Sequence, residues 1–161
     1  MSRKVTVLAI GLCGMLWQSA QAQGLPQYPD LIKTTLQLRK EVADAKEKVF
    51  SAITTSDYPK LLESCKEMMQ KDDAYMKSFY SNKSYYYFLA NKPKNFKEQY
   101  LANSIESLVD AMGNRMQAIG LVCNTPAIER HVLMSALSLL SSSYTATHNA
   151  ELWVEMADIQ K

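Results

Sequence analysis

The chain has little of what most catalytic motifs are built from. It carries 2 histidines and 5 glycines in 161 residues. It has no glycine-rich phosphate loop, no nucleophile elbow, no His-Glu-x-x-His helix and no Cys-x-x-Cys pair, which excludes the reaction classes that depend on those spacings. The two histidines, His131 and His148, have no second imidazole at ligand spacing. Repeats, low-complexity segments and a domain linker are also missing. Charge excess of either sign is nearly absent: there are 18 basic and 16 acidic residues, and two of the basic ones, Arg3 and Lys4, sit in a segment expected to be removed. With 16 of each remaining, no global basic field is left to attract nucleic acid or anionic lipid.

That removable segment has the three parts of a secretory signal. Ser2-Arg3-Lys4 is a positive start, Val5 to Trp17 an apolar run, and Ala20-Gln21-Ala22 a small-x-small cleavage site. The run is shorter than the ~20 residues a membrane-spanning helix needs. Leu12 before Cys13 is bulkier than a lipoprotein site prefers. Cleavage after Ala22 leaves 139 residues starting at Gln23, with no stable membrane span, destined for the periplasm or the cell exterior. A chain of that length forms one ordinary domain and buries about two-thirds of its unfolded surface.

What remains is helical. After an extended leader over 23–29, a helix starting near Asp30 carries Leu31, Thr35, Leu38, Val42, Ala45, Val49 and Ala52 at four-three spacing, with Phe50 and Ile53 widening the stripe. Ser56 or Asp57 can cap a second helix that has Pro59 in its first turn. Its stripe is Leu61, Cys65, Met68, Tyr75, Phe79, Tyr86 and Leu89, with Asp72 and Asn82 at polar steps and a bend expected at Ser81-Asn82-Lys83-Ser84. After Asn91-Lys92-Pro93-Lys94-Asn95 a third helix follows Leu101, Ile105, Leu108, Met112, Met116 and Ile119 to about Val122. Gly113 and Gly120, seven residues apart and so on one face, read as a smooth groove for a crossing helix. Thr125 and Pro126 open a fourth helix along Ile128, Val132, Leu133, Ala136, Leu137, Leu140 and Tyr144. A break at Thr147-His148-Asn149 separates it from a short last helix around Leu152, Trp153, Met156 and Ile159. The expected fold is all-α: four main helices plus a short C-terminal one, a single bundle over 30–161.

Folding the chain at Pro93 makes a sharper prediction. Cys65 lies 28 residues before that proline and Cys123 lies 30 after it. In an antiparallel pair both sit roughly 42 Å from the turn at 1.5 Å per residue. In an oxidising compartment, these two cysteines are expected to form a disulfide.

The functional signal is concentrated at that turn. Tyr75, Tyr80, Tyr85, Tyr86, Tyr87 and Tyr100 lie within 26 residues, joined by Phe79, Phe88 and Phe96. Three consecutive helical tyrosines point about 100° apart, so one interior cannot hide them all. Lys83, Lys92, Lys94 and Lys97 surround them. Tyrosine mixed with charge is the composition of protein-binding patches, and Tyr80, Lys83, Tyr85, Tyr86, Tyr87, Lys92 and Lys94 are the candidate contact residues. The partner expected is another envelope or secreted protein, not nucleic acid. An immunity-type protein masking a toxin is the alternative of the same kind. A haem or copper carrier is a third reading, through His131 or through the thioethers of Met112 and Met116. A hydrolase centred on Glu106, Asp110 or His131 has no constellation behind it, so no enzyme activity, cofactor or metal is expected.

The opening Gln23-Gly24-Leu25-Pro26, followed at once by a heptad-patterned helix, resembles the minor pilin subunits of type IV secretion and conjugation systems. The resemblance covers about thirty residues. It implies an exported, mostly helical protein associated with a pilus tip. The chain is shorter than typical members and lacks their long charged C-terminal helix, so no site residues follow from it.

Overall fold

The computed structural model describes residues 28–125 and 128–160, without the side chains of Tyr28, Pro29, Ser84, Tyr86 and Leu89. The expected signal over 1–22, most of the leader and Pro126 lie outside the described residues. Among the described residues, five helices follow in order: α1 Tyr28–Thr55, α2 Tyr58–Ser81, α3 Lys83–Ala90, α4 Phe96–Cys123 and α5 Arg130–Ile159. No strand occurs among the described residues. Four long helices form an antiparallel bundle in the cyclic order α1, α2, α4, α5. The short α3 caps one end against α4.

The α1 seam is as expected: Leu31, Thr35, Leu38, Val42, Ala45, Val49 and Ala52 are all buried. Phe50 departs from it and is exposed, because it falls on the flank of the stripe. The helix begins two residues earlier than expected. Pro29 fits in its first turn, where a missing N–H costs nothing. Ser56, at φ 57°, ends α1 in the left-handed region. Asp57 then caps α2 by accepting from the Lys60 N–H at 3.3 Å.

The bend expected after Phe79 falls at Asn82, which is extended (φ −79°, ψ 98°) and divides α2 from α3. One extended residue shifts the phase of everything beyond it. Tyr85 and Phe88 therefore enter the core, while the side chains of Tyr86 and Leu89, expected on the stripe, lie outside the described residues. At the start of α4, Asn95 accepts from the Glu98 N–H at 2.8 Å, and Glu98 accepts from the Lys94 N–H at 2.9 Å, a reciprocal cap.

The last helix is continuous, and the expected break at Thr147-His148-Asn149 does not occur. Its buried positions are Leu133, Ala136, Leu140, Ser143, Thr147, Ala150, Val154 and Ala157, alternating steps of three and four across the whole length. His148 and Asn149 are simply the exposed steps of that repeat. Thr125 does not cap α5 either: its hydroxyl bonds back to the Leu121 carbonyl, and the helix starts only after Glu129.

Small residues draw α4 and α5 together into the most extensive pairing of the bundle. Ser143 Oγ donates to the Ala111 carbonyl at 2.6 Å, and Ser104 Oγ to the Ala150 carbonyl at 2.8 Å. Side chains this short allow one backbone to be reached from the other. The glycines are not part of this approach. A Cβ at Gly113 meets nothing within 4 Å, and one at Gly120 meets only Asn124 Nδ2 at 3.9 Å. The expected crossing groove at Gly113 and Gly120 is absent. The Cys65–Cys123 disulfide is present, with Cα atoms 5.6 Å apart, and ties α2 to the end of α4.

Candidate functional site

The antiparallel order gathers the start of α1, the α2–α3 bend, the 91–95 turn, the start of α4 and the end of α5 at one end of the bundle. Each aromatic there is sorted by its helical phase. Tyr85 is 2% exposed, with its hydroxyl 3.3 Å from Thr34 Oγ1 and its ring 5.0 Å from that of Phe79. Tyr85 is therefore a core residue and leaves the expected contact set. Its inward position follows from the phase shift at Asn82. Tyr75, mostly buried, donates its hydroxyl to the Thr34 carbonyl at 2.9 Å. Burial pushes both phenols above the ordinary tyrosine range. Tyr100 stacks on Trp153 at 5.8 Å between centroids.

Among the described residues of this end, three rings face solvent: Tyr80 at 52% exposed, Tyr87 at 43% and Phe96 at 73%. Tyr80 and Tyr87 rest edge-on against the inward rings of Phe79 and Phe88, at 5.6 and 5.5 Å, which supports them from below. The side chain of Tyr86 lies outside the described residues. Lys83, Lys92, Lys94 and Lys97 are exposed, and none makes an ion pair among the described residues. From Ala74 to Lys97 the chain has no acidic residue, and the first, Glu98, is committed to the Lys94 N–H. The end thus presents exposed rings among the four lysines of the 83–97 stretch, with Asp30 at the start of α1 and Glu155 and Asp158 at the end of α5 as the exposed acids of the same end.

The opposite half of the molecule has the reverse character. Beside the α1–α2 turn these two helices diverge, leaving a cleft of about 690 Å³. Ala52 and Leu61 form part of its floor, and Asp44, Glu47, Asp57, Glu63 and Glu67 stand around it. Lys48, Lys60 and Lys71 also line it; Lys48 and Lys71 are engaged by Glu67, at 3.7 and 2.9 Å, and Lys71 also by Glu41 at 3.3 Å, while Lys60 makes no ion pair among the described residues.

A buried ion pair, Asp72 with Arg115, joins α2 to α4. The seam expected through Met116 is displaced by one residue: Arg115 is 2% exposed and Met116 44%. Burial pulls the Arg115 guanidinium below its ordinary value, and the carboxylates of Glu41 and Asp44 raise it again. Sequence reasoning missed this pair although a signal was present. The fold-back that sets 65 against 123 also brings 72 within one residue of 115. On the other side of α1, Arg39 binds Glu151 Oε2 at 2.7 Å and the Thr147 carbonyl at 3.1 Å. Both clusters connect helices and neither presents a nucleophile to a cleft.

The haem and copper readings lose their geometry. His131 is exposed, 3.1 Å from Glu129, rather than turned into the bundle. Met112 and Met116 do share a small cavity with Met76, but the Asp72–Arg115 ion pair also lines it, and Met116 is 44% exposed. Among the described residues no group of three or more His, Cys, Asp or Glu side chains could hold a metal ion, and no helix is long and apolar enough to cross a membrane.

No protein family, curated protein or solved structure matches the chain. Any functional reading therefore rests on the geometry above.

Proposed function

We propose that this is an exported, non-enzymatic protein-binding bundle, whose lysine- and aromatic-rich end captures another envelope or secreted protein. The observation that supports this most directly is the outward set of Tyr80, Tyr87 and Phe96 among unpaired lysines. Aromatic side chains lose little conformational entropy on contact, and those at the centre of a desolvated patch supply most of its binding energy. Cleavage after Ala22 would deliver the chain to the oxidising compartment in which the Cys65–Cys123 bridge forms. The opening Gln23-Gly24-Leu25-Pro26 favours a secretion or conjugation apparatus as its setting over a toxin-masking role.

A photo-crosslinking residue at position 87, introduced in the exporting cell, tests the reading. It should trap one dominant envelope or secreted protein. Tyr80→Ala and Tyr87→Ala should weaken that capture while leaving thermal unfolding nearly unchanged. Tyr85→Ala should instead lower stability by about 3–5 kcal/mol, the usual cost of emptying a buried aromatic site. Early melting of Tyr87→Ala with no trapped protein would refute the binding end.

A further inference from the structure

The two regions described above are complementary in three respects. One presents ammonium groups around exposed rings; the other presents carboxylates around an apolar floor at Ala52 and Leu61. The cleft has room, at about 690 Å³, for more than one side chain. Two of its three lysines, Lys48 and Lys71, are already engaged, and Asp44, Glu47 and Glu63, which make no ion pair among the described residues, outnumber the remaining Lys60. These regions cannot meet within one molecule, because the length of α2, about 35 Å at 1.5 Å per residue, separates them. The α1–α2 pair is also the least extensive of the four neighbouring pairs around the bundle, which is what leaves the cleft open.

We infer that the lysine–aromatic end docks into the acid-rimmed cleft between α1 and α2 of a second copy of this chain, so that copies associate head to tail. This inference rests on the binding-end reading and takes the exported protein captured there to be a second copy of this chain. Balanced charge, once Arg3 and Lys4 are gone, removes net repulsion between copies, while the separation of the two signs sets their relative orientation. The contact is heterologous: the surfaces used on the two copies differ, so each added copy leaves one free end and one free cleft. Such contacts give rings if the rotation closes and open chains if it does not.

Sedimentation velocity on the purified exported protein tests this. Average mass should rise with concentration in low salt and return to that of a monomer in ~1 M salt, where screening reaches about 3 Å. Lys92→Glu/Lys94→Glu and Glu47→Lys/Glu63→Lys should each weaken self-association about tenfold or more. An equimolar mixture of the two variants should associate again, because one keeps a native cleft and the other a native end. Should either variant fail to fold, a crosslinker at position 87 of the otherwise unaltered protein should attach to the peptides containing Glu47 or Glu63. Monomers at every concentration, association indifferent to both charge reversals, or crosslinks elsewhere on the chain would overturn the inference. A crosslink from position 87 to a different protein, with the purified chain monomeric, would overturn it too while leaving the binding end intact.

Discussion

Asp72 and Arg115 place one charge of each sign in the seam between α2 and α4, where water does not reach them. An isolated charge there is far more costly than the pair, so the effects of removing them are strongly coupled. Arg115→Met alone should cost about 3–5 kcal/mol, since it strands a buried carboxylate. Asp72→Leu/Arg115→Met together should cost much less than the sum of the two single changes. Urea unfolding of the four proteins measures this, and additive losses would show that the two charges do not depend on each other. Tyr75 and Tyr85 give the same region a pH dependence. Their phenols keep their protons in the folded state at pH values where the unfolded chain, titrating near pH ~10, has released them. Their contribution is therefore complete below that pH and declines as pH rises through and beyond it. Tyr75→Phe/Tyr85→Phe should be weaker than the parent at pH 8, by about 1 kcal/mol for each lost hydrogen bond. Urea midpoints at pH 8 and pH 11 should show that deficit narrowing.

Among the helices, α4 contains its own weak points. Gly113 and Gly120 lie in its interior without any close neighbour that a methyl group would strike. Gly113→Ala and Gly120→Ala should each raise stability by about 0.5–1 kcal/mol, read from urea midpoints. A loss would mean that another element approaches α4 more closely than the packing shows. The helices also differ in how far their seams could be read beforehand. In α1 the buried steps are mostly Leu and Val, so hydropathy alone traces them. In α5 the same four-three repeat passes through Ser143, Thr147 and Ala150, whose burial depends on close backbone approach rather than on apolar bulk. Hydropathy there marks Leu152, Met156 and Ile159 instead, and all three are exposed. Arg115 was hidden for a related reason. A methionine outranks an arginine for burial unless the arginine's partner, two helices' worth of sequence away, is already known.

The whole molecule is closed by one covalent tie. Cys65 and Cys123 are 58 residues apart in sequence, and the chain-entropy relation assigns such a loop about 4 kcal/mol. Cys65→Ser should lower stability by up to that amount and leave a folded bundle, because the core of α1, α4 and α5 does not depend on the bridge. Circular dichroism and urea unfolding of the variant check this, and an unfolded product would mean the helices cannot hold together alone. The bridge was legible because cysteine chemistry and helix rise fix both its partners and its height. The lysine- and aromatic-rich end was legible only in part. Composition located it to within a few residues, but its membership turned on Asn82. One extended residue there rotates Tyr85 inward, and no property of Tyr85 itself distinguishes it from Tyr87.

The bridge has one more consequence, for what a single proteolytic cut would do. The 91–95 turn is the exposed connection inside the loop that Cys65 and Cys123 close, and the peptide bond after Lys94 is open to a trypsin-like enzyme, whereas the bond after Lys92 is protected by Pro93. A cut at Lys94 would yield two polypeptides that remain one molecule until the disulfide is reduced.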